Sequence, residues 1–171
     1  MTQIHQKYSE IFQKTKEKIL SAIQVKGPSL PVQIARTIGV SPLFAAAFLS
    51  ELYEEGKLRM SHMRVGSSPL YLLPGQEEML TNYTEYLNQK EKEALSLLKK
   101  EKILDDEKQH PAVRVALRSL RDFALPLKIK TNEDIKLYWK YFTIPDSEIK
   151  SILEPVETPK IKPPSPKPPQ Q

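Results

Sequence analysis

Apolar side chains recur along the first seventy residues at two periods, and the switch between them marks a series of elements. Residues 8–26 carry Ile11, Phe12, Ile19, Ala22 and Ile23 near helical spacing, and Gly27-Pro28 ends that pattern. Ser29 and Pro31 suit the start of a second helix over about 31–38, with Ile34, Ala35 and Ile38 inward. Gly39 supplies a turn that tolerates positive φ. Ser41 then caps a third helix that opens on Pro42, and Phe44, Phe48, Leu49 and Leu52 form its core stripe up to the stop at Gly56. From Lys57 to Val65 the period drops to two, with Leu58, Met60 and His62 alternating against Lys57, Arg59 and Ser61. Leu70–Leu73 is a second strand, across a Gly66-Ser67-Ser68-Pro69 turn.

Pro74-Gly75 breaks this series. Residues 76–104 follow as helix, one long or two short, with Leu80, Tyr83, Leu87, Ala94, Leu97 and Leu98 on one face and Asn88 as the candidate break. Pro111 opens a helix expected to end near Ala124, ahead of Pro126. Leu127–Lys130 and Ile135–Ile144 read as strands around a Thr131-Asn132-Glu133-Asp134 turn. Helix then hairpin thus occurs twice, and a second module of this kind needs a short middle helix from Leu104 to Gln109. From Glu154 the chain reads EPVETPKIKPPSPKPPQQ, which lacks an apolar cluster and predicts a disordered tail sampling polyproline II. The expected architecture is mainly α with small β-hairpins, an α+β fold. It divides into domains over 1–75 and 76–153 and a proline-rich tail over 154–171.

Ala35, Gly39, Val40 and Phe48 fall where a helix-turn-helix wants a small residue, a turn glycine and core apolars. With the hairpin that follows, residues 8–75 resemble the winged helix-turn-helix superfamily, and residues 90–145 resemble a degenerate second copy. The resemblance implies a tandem winged-helix protein whose third helix reads the major groove. The superfamily also holds RNA-binding modules and modules used only for protein assembly.

Composition narrows the chemistry. The 171 residues carry a net charge of +5, spread as +2 over 1–80, +2 over 81–153 and +1 over the tail. That mild excess permits phosphate binding without demanding it. The chain has no cysteine, which excludes disulfides, thiolate metal sites and thiol catalysis. No apolar run nears the roughly 18 residues of a membrane span, and the polar N-terminus lacks a signal-peptide core. A cytoplasmic protein is expected, nucleoid-associated if it binds DNA. His5, His62 and His110 sit in unrelated elements, and no phosphate loop, metal motif or nucleophile elbow occurs. No catalytic activity, cofactor or metal is expected.

The candidate contacts are therefore basic side chains. The outward face of the third helix, Leu43, Ala46, Ala47, Ser50 and Glu54, has nothing to read base edges with and is better suited to packing. The first wing offers Lys57, Arg59, His62 and Arg64 around a tip with Ser67 and Ser68. Arg114, Arg118 and Arg121 are spaced i, i+4, i+7 after Pro111 and suit bidentate phosphate contact. Their alternative partners are the acids at Glu91, Glu93, Glu101, Asp105 and Asp106. Asp105-Asp106-Glu107 itself reads as a solvated loop or a helix cap. The second hairpin places Lys128, Lys130, Lys136 and Lys140 among Tyr138, Trp139, Tyr141 and Phe142, whose rings suit core packing better than base stacking.

The expectation is a non-enzymatic nucleic-acid-binding protein, for DNA before RNA, in transcription regulation or chromosome organisation. Its candidate site is Arg114, Arg118, Arg121, Lys57, Arg59, Arg64, Ser67, Ser68, Lys128 and Lys130. The alternatives are a protein-interaction adaptor and an RNA- or ribosome-associated protein. The helix near 80–104 is a candidate homodimer or partner surface, and no membrane is expected.

Overall fold

A computed structural model describes residues 2–154, so the proline-rich tail over 155–171 lies outside the described residues. The fold is α+β. Three helices come first: α1 (Thr2–Lys26), α2 (Pro31–Ile38) and α3 (Pro42–Glu54). Gly39 closes α2 in the left-handed region at φ 75°, its N–H donating to Ala35 O. The Ser41 hydroxyl accepts from Phe44 N and starts α3. β1 (Arg59–Val65) and β2 (Ser68–Leu72) form an antiparallel hairpin with an irregular register between Met60 and Arg64.

A 3-10 segment, Glu77–Tyr86, leads to α4 (Gln89–Glu101). Asn88 does separate the two. Its side chain accepts from Glu91 N while the Glu91 carboxylate accepts from Asn88 N, a reciprocal cap. β3 (Ile103–Asp105), a 3-10 turn (Asp106–Lys108), α5 (Pro111–Ser119), β4 (Ala124–Lys130), β5 (Ile135–Tyr141) and α6 (Asp146–Leu153) complete the described chain. β3, β5 and β4 pair antiparallel in that order.

One order of elements occurs twice. In the first half, Ser29 follows α1 and pairs with Tyr71 of β2 through two hydrogen bonds of 2.9 Å. In the second half, β3 follows α4 and pairs with β5. In each half the segment after the first helix joins the last strand, and the hairpin follows α3 or α5, with α6 added after the second.

Four sequence expectations need correction. In β1 the alternation is reversed, because Met63 enters an apolar core and the buried Ser61 hydroxyl donates to Met63 O and accepts from Leu70 N, which turns Met60 and His62 outward. The middle helix over Leu104–Gln109 is absent, because Leu104 pairs with Trp139 in the sheet and only a 3-10 turn follows. The helix opened by Pro111 stops at Ser119 rather than near Ala124: Phe123 is fully buried and Ala124 already pairs with Tyr141. In α3 the buried stripe is Ala45, Phe48, Leu49 and Leu52, spaced i, i+3, i+4, i+7, so Phe44 turns outward and is 60% exposed.

Two apolar cores result. The first gathers Ile19, Ile23, Ile34, Leu49, Leu52 and Tyr71. The second gathers Leu80, Leu98, Leu117, Phe123 and Trp139 together with Met63, Leu70 and Leu72 from the first hairpin. Side chains alternate across a strand, so β2 sends Tyr71 to one core and Leu70 and Leu72 to the other. β2 is thereby covered on both faces, whereas β1 buries Ser61 and Met63 and turns Met60 and His62 outward. Asp122 fastens the hairpin further, its two carboxylate oxygens accepting from His62 N at 2.9 Å and Met63 N at 2.7 Å.

Candidate nucleic-acid interface

The strongest electrostatic feature is built on α5. Pro111 fills its first turn, where a missing N–H costs little, and the helix places Arg114 and Arg118 one turn apart. Both guanidinium groups converge on Asp106. Arg114 donates from Nε at 3.0 Å and lies at 2.8 Å through Nη2. Arg118 donates from Nη1 at 2.7 Å to Oδ1 and from Nη2 at 3.1 Å to Oδ2. The Trp139 indole N–H donates to Oδ1 at 2.9 Å, and the Arg118 guanidinium lies 5.6 Å from the Trp139 ring centroid.

Asp106 is thus not a solvated loop residue: its side chain is 3% exposed. Its neighbour Asp105 does serve as a cap, accepting from Glu107 N. The hydrogen bond from Arg118, with those from Trp139 and Arg114, outweighs burial and holds the Asp106 carboxyl well below the usual carboxylate range. The same contact raises the Arg118 pKa. Arg114 and Arg118 nonetheless keep 41% and 45% of their side-chain surface exposed. Two charges against one leave the cluster net positive, with each guanidinium plane oriented by a buried carboxylate.

The register of the second hairpin extends this face. Pro126 pairs with Trp139, Lys128 with Leu137 and Lys130 with Ile135, so Lys128 and Lys130 project from the same sheet face as Trp139. At about 3.4 Å per residue, Lys128 lies some 7 Å along the strand from the Pro126–Trp139 pair. Among the described residues, no carboxylate lies within ion-pair distance of Lys128, Lys130 or Lys136, whereas Lys140 pairs with Asp146 at 2.8 Å on the opposite face. Trp139 and Tyr141 are buried, and their rings serve the core.

The other expected contacts lie apart. Arg121 falls beyond the end of α5 and lines a 610 Å³ cleft with Asp122, Arg59 and Glu77, so the three arginines do not share one stripe. In the first hairpin Arg59 pairs with Glu77 at 2.9 Å, Lys57 with Glu55 at 3.3 Å, and Arg64 donates to Ser67 O at 2.6 Å across its own turn. Ser67 is exposed and Ser68 half-buried. α3 offers no cation, and Leu43, 79% exposed, heads its outer surface beside Phe44.

Asp106 is one of the acids that the sequence offers as partners for these arginines, and the structure makes that pairing. Asp106 lies 8 and 12 residues before the two arginines, but only the β3–β5 pairing brings it under α5. Asp122 had no comparable signal, since its partners are backbone amides sixty residues away. Among the described residues no three His, Asp or Glu side chains gather as metal ligands would, and no single helix is long and apolar enough to cross a membrane. No protein-family model matches this chain, nor does any curated protein or solved structure.

Proposed function

We propose that this chain is a non-enzymatic nucleic-acid-binding protein of tandem winged helix-turn-helix architecture, gripping phosphates through its second half. The observation that carries this reading is the pair of guanidinium groups held by one buried carboxylate, on the sheet face that also bears Lys128 and Lys130. Two features support the winged-helix assignment. Each half runs helix, pairing segment, turn or helix, helix and hairpin, and the second sheet has the strand order β3-β5-β4.

The chemistry is that of backbone contact. Oriented arginines bind phosphate oxygens bidentately, and lysines on a neighbouring hairpin add point charges along a duplex. The exposed residue of α5 between the arginines is Val115, which lacks a group for base-edge hydrogen bonds. Binding is therefore expected to be tight in low salt and weakly sequence-selective. A general DNA-binding or chromosome-associated role fits this better than site-specific regulation.

The test is competition among duplex DNA, single strands and structured RNA for the full chain. Duplex DNA should win, and an Arg114→Ala, Arg118→Ala variant should lose affinity equally across unrelated sequences. Equal affinity of that variant and the wild type would refute the assignment. A second reading, a protein-assembly role, draws on the apolar exposed side of α3.

A further inference from the structure

The N-terminal half of α1 has no cover. Residues 2–14 are all exposed, and the first buried side chain of the helix is Lys16. At 1.5 Å per residue that arm extends about 20 Å from the body, and isolated helices of such length are marginal in water. Ile4, Tyr8, Ile11 and Phe12 fall at i, i+4, i+7 and i+8 and make an apolar stripe along it. The stripe runs into a 380 Å³ groove lined by Phe12, Lys16, Phe44, Ala47, Phe48 and Glu51, where the Phe12 and Phe48 rings lie 5.7 Å apart. By contrast, the apolar side of residues 80–104 packs within its own chain through Leu80, Ala94, Leu95 and Leu98, so it is not a free dimer surface.

We propose that the groove receives the arm of a second copy of this chain. Two α1 helices would cross antiparallel at Ile11–Phe12, each arm lying over the other's α3. Charge favours this occupant. The arm carries Lys7 and Lys14 against Glu10, whereas α3 carries Glu51 and Glu54, is followed by Glu55, and has no lysine or arginine. That crossing sets Lys7 of one copy level with residue 16 of the other, where Glu51 and Glu55 gather around Lys16 at 2.9 and 2.6 Å. The area is also adequate. Tyr8, Phe12 and Phe44, each about half exposed, offer roughly 300 Å², and Ile4, Ile11 and Leu43 raise the patch to about 500 Å². That matches the apolar two-thirds of a standard interface of about 800 Å² per partner.

The experiment is sedimentation equilibrium of the full chain, with cross-linking of a mixture of ¹⁴N- and ¹⁵N-labelled protein. A dimer is expected, with mixed-isotope links from Lys7 to Glu51 or Glu55. Ile11→Glu and Phe44→Glu should each weaken it about thirtyfold or more, the loss of an interface hot spot. A monomeric wild type overturns the proposal, and so does a dimer that both substitutions leave intact. If Ile11→Glu lowers helical content, the surface variant Lys7→Glu decides instead: a weaker dimer supports the arm exchange and an unchanged one refutes it.

Discussion

α3 and α5 hold equivalent places in the two halves, each followed by a hairpin whose last strand pairs with a segment at the end of the first helix. α3 turns Leu43 and Phe44 to solvent and has no cation. α5 turns Arg114 and Arg118 outward and anchors both on buried Asp106. The hairpins differ in the same sense. In the first, β2 is covered on both faces and the cations engage local partners, while the second keeps Lys128 and Lys130 clear of carboxylates among the described residues. One order of elements thus supports two surfaces, an apolar one suited to protein and a cationic one suited to phosphate. Motif position alone does not identify a binding helix; what the exposed side chains can do decides it.

The shared second core gives the largest expected effect. Phe123 is fully buried, and Phe123→Ala should cost about 3–5 kcal/mol. Leu70 and Leu72 tie the first hairpin into that core, so chemical denaturation should still show one transition. A two-step curve with an unchanged first-half midpoint would separate the halves and break the comparison.

Asp106→Asn should come next, at about 3 kcal/mol, because it leaves two guanidinium groups without their buried counter-charge. The pH dependence has a definite sign. The Asp106 pKa is depressed in the fold, so its stabilisation is complete above the unfolded carboxylate value of about 3.9 and disappears as pH falls through the lower folded value. The stability gap between wild type and Asp106→Asn should therefore stay constant from neutral pH to about 5 and narrow only in stronger acid. Denaturant midpoints across that range measure it.

Asp122→Asn should cost about 1–3 kcal/mol, since one of the two amide donors at His62 and Met63 loses its acceptor. Amide exchange at those two residues reports it directly. The smallest effect is expected at Val25→Lys on α1, within about 0.5 kcal/mol for an exposed helix position outside both proposed surfaces.

Capping residues made much of the fold legible in advance. Pro31, Gly39, Ser41-Pro42 and Asn88 act locally, and the elements they bound lie where the spacing predicts. What escaped depends on distant partners. Leu104 becomes a strand residue because Trp139 lies beside it, and Phe123 leaves the helical pattern because the second core needs its ring. For the candidate site, helical spacing brought Arg114 and Arg118 together but carried Arg121 past the true helix end. Lys128 and Lys130 could be joined to the arginines only through strand register.

The central proposal is that the second half grips phosphate, and the salt dependence of duplex DNA binding tests it most directly. Removing one phosphate-neutralising cation should flatten the plot of log Kobs against log salt by about 0.9. Replacing Arg114, Arg118, Lys128 and Lys130 by alanine should flatten it by several such steps, while replacing Lys57, Arg59 and Arg64 should leave the slope near that of the wild type. An unchanged slope in the first variant, with a flattened one in the second, would contradict the account.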